Sequence, residues 1–115
     1  MKAIIDVRPR NSIFDAAQAD ISSNGNEDFH LSFDTARLLF SEVTPARLDL
    51  LDTLRKLGPS SIYALAKAAG RNYSNVHGDI SRLIDLGLVE RLEGNDTVFV
   101  PFDDVEVHFH LAQAA

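Results

Sequence analysis

One predicted helix, over residues 73–86, carries hydrogen-bonding side chains along one side. An asparagine amide can make two hydrogen bonds to adenine, and an arginine guanidinium can pair with guanine or contact a phosphate. A helix that presents short polar side chains and an arginine can therefore enter the major groove of duplex DNA, which is about 12 Å wide. At 100° per residue, the polar side of this helix holds Ser74, Asn75, Gly78, Ser81, Arg82 and Asp85.

Further basic and polar residues flank this helix in the sequence. Lys67 and Arg71 precede it, where backbone phosphates of a bound duplex would run. Arg91 and Asn95 follow it in a predicted hairpin that could reach the next phosphate or the minor groove. The complete set of candidate DNA-binding residues is Lys67, Arg71, Asn72, Tyr73, Ser74, Asn75, His77, Gly78, Ser81, Arg82, Arg91 and Asn95.

Gly78 lies near the centre of the polar side, although glycine inside a helix costs roughly 1 kcal/mol relative to alanine. Two explanations stay open. A partner's surface could approach the helix backbone closely at this point. Alternatively, the position could carry no constraint, and the fold could absorb the cost.

Two acidic residues on or beside the polar side, Asp79 and Asp85, would repel phosphate. Arg82 lies three residues from each of them and is predicted to neutralise both. The sequence therefore predicts a modest, salt-sensitive affinity for DNA that depends on dimerisation, because a dimer doubles the contacts.

Helix caps and apolar spacing predict the elements that position these residues. Thr44 caps a helix that Gly58 ends, and Ser61 caps another that Gly70 ends. The short link after Gly70 gives a helix-turn-helix spacing. Leu50, Leu51, Leu54 and Leu57 form the predicted apolar stripe of the first helix, and Val76, Ile80, Leu83 and Ile84 form that of helix 73–86. The other predicted elements are a strand over 2–7, a short helix within 12–21, a loop over 22–28, a helix over 33–41 that Ser32 or Asp34 starts, a hairpin in which LVERL and TVFV flank EGND, and a strand over 105–111.

Composition and charge fit one globular domain with acidic flanks. The chain has 115 residues, of which 45% are hydrophobic and 24% charged, and its formal net charge is −6. Residues 45–100 carry seven basic and seven acidic residues and are therefore neutral. Residues 1–44 carry four basic and seven acidic residues, and residues 101–115 carry three acidic and no basic residues. A neutral central segment can still present a locally positive face to phosphate.

Several classes of protein and site find little support. The chain has no cysteine, which excludes disulfides and thiolate metal sites, and no apolar run approaches the ~20 residues that cross a bilayer. We expect a cytoplasmic protein. The sequence holds no phosphate loop, no GxSxG motif and no cysteine nucleophile, so we expect no enzymatic activity and no cofactor. His108 and His110 lie near three acidic residues, but an HxH pair on a strand is more typical of a solvated face than of a metal site, and we expect no metal.

The capped helix pair, the polar helix and the following hairpin occur together in residues 44–102, about half of the chain. This stretch, with its LA…G…Y..VH.DI..L…GLVER pattern, resembles the MarR-like and ArsR-like winged helix-turn-helix transcriptional regulators. It is most similar to small MarR-like DNA-binding proteins, some of which act as antitoxins. In that group the position of Gly78 is often basic, so this chain lacks one contact that the resemblance would supply.

The resemblance implies an α+β fold, namely a winged helix-turn-helix of three helices and a hairpin wing, with an N-terminal strand-helix arm and a C-terminal strand. The expected segments are an N-terminal arm over 1–30, a DNA-binding domain over 31–102 and a C-terminal strand over 103–115 for dimerisation. The strands predicted over 2–7 and 105–111 are the candidates for the dimer interface, because an unpaired apolar edge strand is otherwise a liability. The expected function is that of a double-stranded DNA-binding regulator, acting as a repressor and as a homodimer. The alternative is an antitoxin whose acidic flanks bind a cognate toxin and which also represses its own operon.

Overall fold

The computed structural model describes residues 1–9 and 28–111. The helix predicted within 12–21 and most of the loop predicted over 22–28 lie outside these residues. The described part of the chain has an α+β fold with four helices and two three-stranded sheets. In chain order the elements are β1 (Lys2–Val7), β2 (Phe29–Phe33), α1 (Ala36–Glu42), α2 (Pro45–Leu57), β3 (Ser60–Ser61), α3 (Ile62–Ala69), α4 (Tyr73–Leu86), β4 (Glu90–Arg91), β5 (Thr97–Phe99) and β6 (Asp104–His108).

The chain divides into two units. The first combines Met1–Glu42 with Asp104–Ala115, and the second is Val43–Asp103. The sequence predicted different divisions, near residues 30 and 103. Residue 30 instead lies inside β2, and the C-terminal strand belongs to the same unit as the N-terminal strand.

The first unit is built on a parallel sheet with β1 at its centre. β1 pairs with β2 on one side and with β6 on the other. Ala3 and Ile5 are fully buried on one side of this sheet, and their neighbours in register on β2 and β6 are all apolar. Helix α1 contacts β1 and β2, and its Leu39 is also fully buried. These residues form the apolar core of the unit.

The opposite side of the same sheet is polar and internally paired. Nζ of Lys2 lies 2.8 Å from Oε2 of Glu106, and Nε2 of His108 lies 3.0 Å from Oε1 of Glu106. The hydrogen bond from Lys2 holds the pKa of Glu106 below its usual value, and the contact with His108 lowers it further. The same hydrogen bond raises the pKa of Lys2. The buried Asp6 accepts hydrogen bonds from Ser32 and from Nε of Arg8.

Strand β2 corrects the sequence prediction for residues 29–41. The predicted helix began at Phe33, but Phe33 ends β2, and Thr35 caps the helix instead of Ser32 or Asp34. Oγ1 of Thr35 accepts a hydrogen bond of 3.1 Å from the backbone N–H of Leu38. The alternation of apolar and polar residues in FHLSF is typical of a strand, and this segment forms a strand by pairing with the distant β1.

The two terminal strands, over 2–7 and 105–111, were predicted as unpaired elements available to a second copy. The strand over 2–7 is confirmed as β1, but both of its edges are occupied within the chain. The C-terminal strand is shorter than predicted and pairs with β1 along one edge. Intrachain pairing therefore removes β1 from the candidate interfaces and leaves β6 as an edge strand.

The second unit packs α2, α3 and α4 with an antiparallel sheet in the order β3-β5-β4. The predicted caps are confirmed: Thr44 accepts from the N–H of Arg47, Ser61 accepts from that of Ala64, and Gly70 ends α3 in the left-handed conformation. The predicted hairpin is confirmed as β4 and β5, whereas the short β3 was not predicted. The buried apolar residues of this unit are Val43, Leu50, Leu51, Leu54, Ile62, Leu65, Ala66, Val76, Ile80, Leu83, Leu88, Val89, Val98, Val100 and Phe102.

Two leucines of α2 differ sharply in burial, although the sequence predicted both in the same apolar stripe. Leu54 is 0% exposed and Leu57 is 46% exposed. We predict that Leu54→Ala lowers the free energy of unfolding by about 2–5 kcal/mol, because it removes buried contacts and leaves a cavity. Leu57→Ala is the matched control and should change it by about 0.5 kcal/mol or less. Equal effects in urea unfolding would contradict this packing.

The Lys2–Glu106 pair makes stability depend on pH. Because folding lowers the pKa of Glu106, its carboxylate stabilises the fold above the unfolded pKa, and this contribution is lost as the pH falls through the lowered value. We predict that Glu106→Gln lowers the melting temperature at neutral pH and that the difference from the unsubstituted chain closes as the pH is lowered. Glu93→Gln, an exposed change in the hairpin turn, is the control. A Glu106→Gln difference that persists at low pH would contradict the assignment.

Candidate functional site

Helix α4 buries one side and exposes the other. Val76, Ile80 and Leu83 are fully buried, and α4 contacts both α3 and α2. The opposite side carries several of the predicted site residues. Exposed there are Ser74, Asn75, Gly78 and Arg82, while Ser81 is half-buried, and Tyr73 and His77 are exposed elsewhere on the helix. This side therefore offers a row of hydrogen-bonding groups to the solvent.

Asn72 begins this helix as its N-cap. Its side-chain oxygen accepts hydrogen bonds from the backbone N–H groups of Ser74, at 2.8 Å, and Asn75, at 3.3 Å. The sequence grouped Asn72 with the candidate DNA contacts, but its oxygen is engaged in holding the first turn of α4. The same bonds fix the backbone of Ser74 and Asn75, which project from that turn.

Asp79 is held by two arginines from other parts of the second unit. Nε of Arg47, on α2, lies 3.1 Å from Oδ1 of Asp79, and Nη2 of Arg71, in the turn before α4, lies 3.0 Å from Oδ2. We call these three residues the Asp79 clamp. The sequence predicted that Arg82 would neutralise Asp79. The structure shows that Arg47 and Arg71 bind the two oxygens of its carboxylate, a pairing that the sequence did not predict.

The clamp changes the expected roles of its members. Arg71 was predicted to contact phosphate, but its Nη2 is bonded to Asp79, and a phosphate would have to compete with that bond. The Nη1 atom of Arg71 is buried and has no hydrogen-bond partner among the described residues. Arg82 lies 4.0 Å from Asp85, the other acidic residue that it was expected to neutralise. Arg71 thus positions α4, and Arg82 is the arginine on the outward side of the helix.

The first turns of α3 and α4 and the hairpin together line a cleft of about 180 Å³. Tyr73, His77 and Arg91 meet there, and the rings of Tyr73 and His77 lie 5.9 Å apart. The structure therefore brings together three predicted site residues that come from α4 and β4. The complete lining is Ser61, Ile62, Tyr63, Tyr73, His77, Arg91 and Asp96.

Tyr63 and Asp96 line this cleft and were absent from the predicted set. Tyr63 is 68% exposed, and it follows the N-cap Ser61 by two positions on the first turn of α3. An exposed aromatic residue just inside a helix cap was the available signal. Asp96 gave none, because its approach to the cleft depends on the fold of the hairpin.

Lys67 and Asn95 are among the predicted residues that lie outside this cleft. Lys67 is exposed on the last turn of α3. Asn95 lies in the hairpin turn, where its side-chain oxygen accepts a hydrogen bond of 2.8 Å from the N–H of Thr97. Asn95 therefore shapes the turn between β4 and β5.

Gly78 is exposed, and a β-carbon built on it would meet no atom of the chain within 4 Å. No contact within the described chain requires glycine at this position. This geometry fits both explanations left open by the sequence, namely close approach by another molecule and absence of constraint.

The described residues offer no sign of a metal site or a membrane span. Among them, no group of three or more histidine, aspartate or glutamate side chains could hold a metal ion. No helix within the described ranges is both long and apolar enough to span a bilayer.

Comparison with known proteins adds one finding. No curated protein and no solved structure matches the chain. The model of the HVO_A0114 family matches residues 42–107, which include α2, α3, α4, the hairpin and most of β6. This match covers more than half of the chain, and the protein therefore belongs to the HVO_A0114 family.

Proposed function

We propose that the second unit is a winged helix-turn-helix and that the protein is a sequence-specific, double-stranded DNA-binding repressor. Helix α4 enters the major groove, and the hairpin over 91–97 acts as the wing. The observation that carries the proposal is the exposed polar side of α4, on the same helix whose Tyr73 and His77 line a cleft with Arg91 of the hairpin.

The order of elements supports this fold assignment. Helix α2 is followed by the short strand β3, then by α3 and α4 with a three-residue link, and then by the hairpin. The pairing of β3 with β5 ties the hairpin to the start of α3. This order and pairing are those expected of a three-helix unit with a wing.

The charge arrangement also supports DNA binding. Asp79 would repel phosphate if its charge faced outward unpaired, but the clamp places two guanidinium groups on its two oxygens. The outward side of α4 then presents Ser74, Asn75 and Arg82, which are the kinds of side chain that contact base edges and phosphates. A repressor of this kind acts on DNA in the cytoplasm and has no catalytic role.

The antitoxin alternative has less support. It depends on acidic flanks that bind a basic toxin, yet several acidic residues of the first unit are bonded within that unit. Asp6 pairs with Arg8, and Glu106 pairs with Lys2. Asp28 accepts a hydrogen bond from the backbone N–H of Lys2. These acids stabilise the sheet and are less available to a partner.

Arg82 and Asn75 provide the direct test of the DNA-binding proposal. We predict that Arg82→Ala and Asn75→Ala each weaken binding to DNA from the protein's own upstream region by roughly 5- to 150-fold, because each removes about 1–3 kcal/mol of base or phosphate contact. Fluorescence anisotropy at two salt concentrations measures the change.

Lys56→Ala is the matched control for this test. It removes a positive charge from α2, where Lys56 is exposed and pairs with Asp52. Its affinity should stay close to that of the unsubstituted protein. If both α4 variants bind as tightly as this control, α4 does not read the DNA and the proposal fails.

Gly78 gives a second, independent test. We predict that Gly78→Ala raises the melting temperature by several degrees, since alanine favours the helix by about 1 kcal/mol and the new methyl group meets nothing in the chain. We also expect weaker DNA binding, because the methyl group would stand between α4 and the groove. A stabilised variant with unchanged affinity would show that no partner approaches this backbone.

A further inference from the structure

Strand β6 is one of the two edges of the parallel sheet in the first unit, and its sequence alternates strictly. Asp104, Glu106 and His108 point to one side of the sheet, and Val105 and Val107 point to the other. The following residues Phe109, His110 and Leu111 continue the same alternation. An edge strand with an exposed apolar row is a template for pairing with another strand.

We propose that two copies of the chain associate by antiparallel pairing of β6 with β6, about a two-fold axis that passes through Val107. The two parallel sheets then become one continuous six-stranded sheet. The partner is a second copy, because the strand is complementary to itself in this register and a two-fold interface requires that property.

The self-complementarity is visible in the residues that the axis brings into opposition. Every apolar residue meets an apolar residue, and each carboxylate meets an imidazole. The Glu106 carboxylate already contacts Lys2 and His108 of its own chain, so the partner's imidazole would join an existing polar cluster. The opposed pairs are Val107 with Val107, Val105 with Phe109, Glu106 with His108, and Asp104 with His110.

Neighbouring registers that centre on a polar residue still oppose apolar residues with apolar ones, but they place two identical polar side chains at the axis. An axis through Glu106 would place two carboxylates opposite each other, and an axis through His108 would oppose two imidazoles. An axis midway between two residues would oppose residues that alternate between polar and apolar. Opposed residues in antiparallel strands share a face, so each face would then mix polar with apolar side chains. The pattern of β6 therefore selects one register among those that centre on this strand.

Part of the exposed apolar surface of the first unit lies along β6, where this pairing would cover it. Val107 is 41% exposed and Phe109 is 50% exposed. Phe109 also packs edge-to-face against the exposed Phe40 of α1, with ring centroids 6.3 Å apart. Pairing would extend the apolar row across the axis and remove part of these side chains from water.

Engineered disulfides test the register directly, because the chain has no cysteine of its own. In Val107→Cys the two cysteines face each other with Cα atoms about 4.5–5.5 Å apart, within disulfide reach. In the control His108→Cys, the cysteines are two residues apart along the strands and about 8 Å apart, beyond that reach. Mild oxidation followed by a non-reducing gel should give a cross-linked dimer only for Val107→Cys.

The mass in solution tests the association itself. Light scattering should give twice the 12.7 kDa of one chain. Val107→Asp should shift the protein to monomer, because it opposes two carboxylates at the axis, whereas Leu57→Asp, on a residue of similar exposure in α2, should leave the dimer intact.

Three results would overturn the proposal: a monomeric unsubstituted protein, cross-linking of His108→Cys in preference to Val107→Cys, or a Val107→Asp protein that stays dimeric. All of these measurements are made without DNA. Failure of the interface would therefore be distinguishable from failure of DNA binding.

Discussion

Burial of one side of α4 is the constraint on which the candidate site depends. Val76, Ile80 and Leu83 recur at helical spacing and are fully removed from water against α2 and α3. Because a helix is rigid and has 3.6 residues per turn, fixing this stripe also fixes the direction of every other side chain. Ser74, Gly78 and the other outward residues are exposed as a consequence of that packing.

The Asp79 clamp adds a polar restraint to this apolar one. Because guanidinium groups from α2 and from the turn before α4 bind both oxygens of the Asp79 carboxylate, the clamp links α2, that turn and α4. One nitrogen of Arg71 is nevertheless buried without a hydrogen bond among the described residues, which carries a desolvation cost. The clamp therefore contributes orientation more clearly than net stability. It also neutralises the charge of Asp79, which in the sequence analysis was expected to repel phosphate.

Local signals in the sequence predicted much of the fold. Thr44, Ser61 and Gly70 satisfy helix-terminal backbone groups within a few residues of themselves, so their roles do not require knowledge of distant segments. Strand β2 was missed because its alternation covers only five residues, FHLSF, next to a stretch with stronger helical character. Its partner β1 lies more than twenty residues away, and pairing decides its structure.

The sequence by itself determined which face of α4 is polar, because periodicity and local caps follow from neighbouring residues. Only the tertiary structure decided that Arg47 and Arg71 hold Asp79, that Tyr63 and Arg91 share a cleft, and that the two ends of the chain pair around β1. The physical reason is that ion pairs, clefts and parallel ladders join residues far apart in the chain. The two residues of each such contact meet only when the elements pack, so a local sequence pattern does not predict the contact.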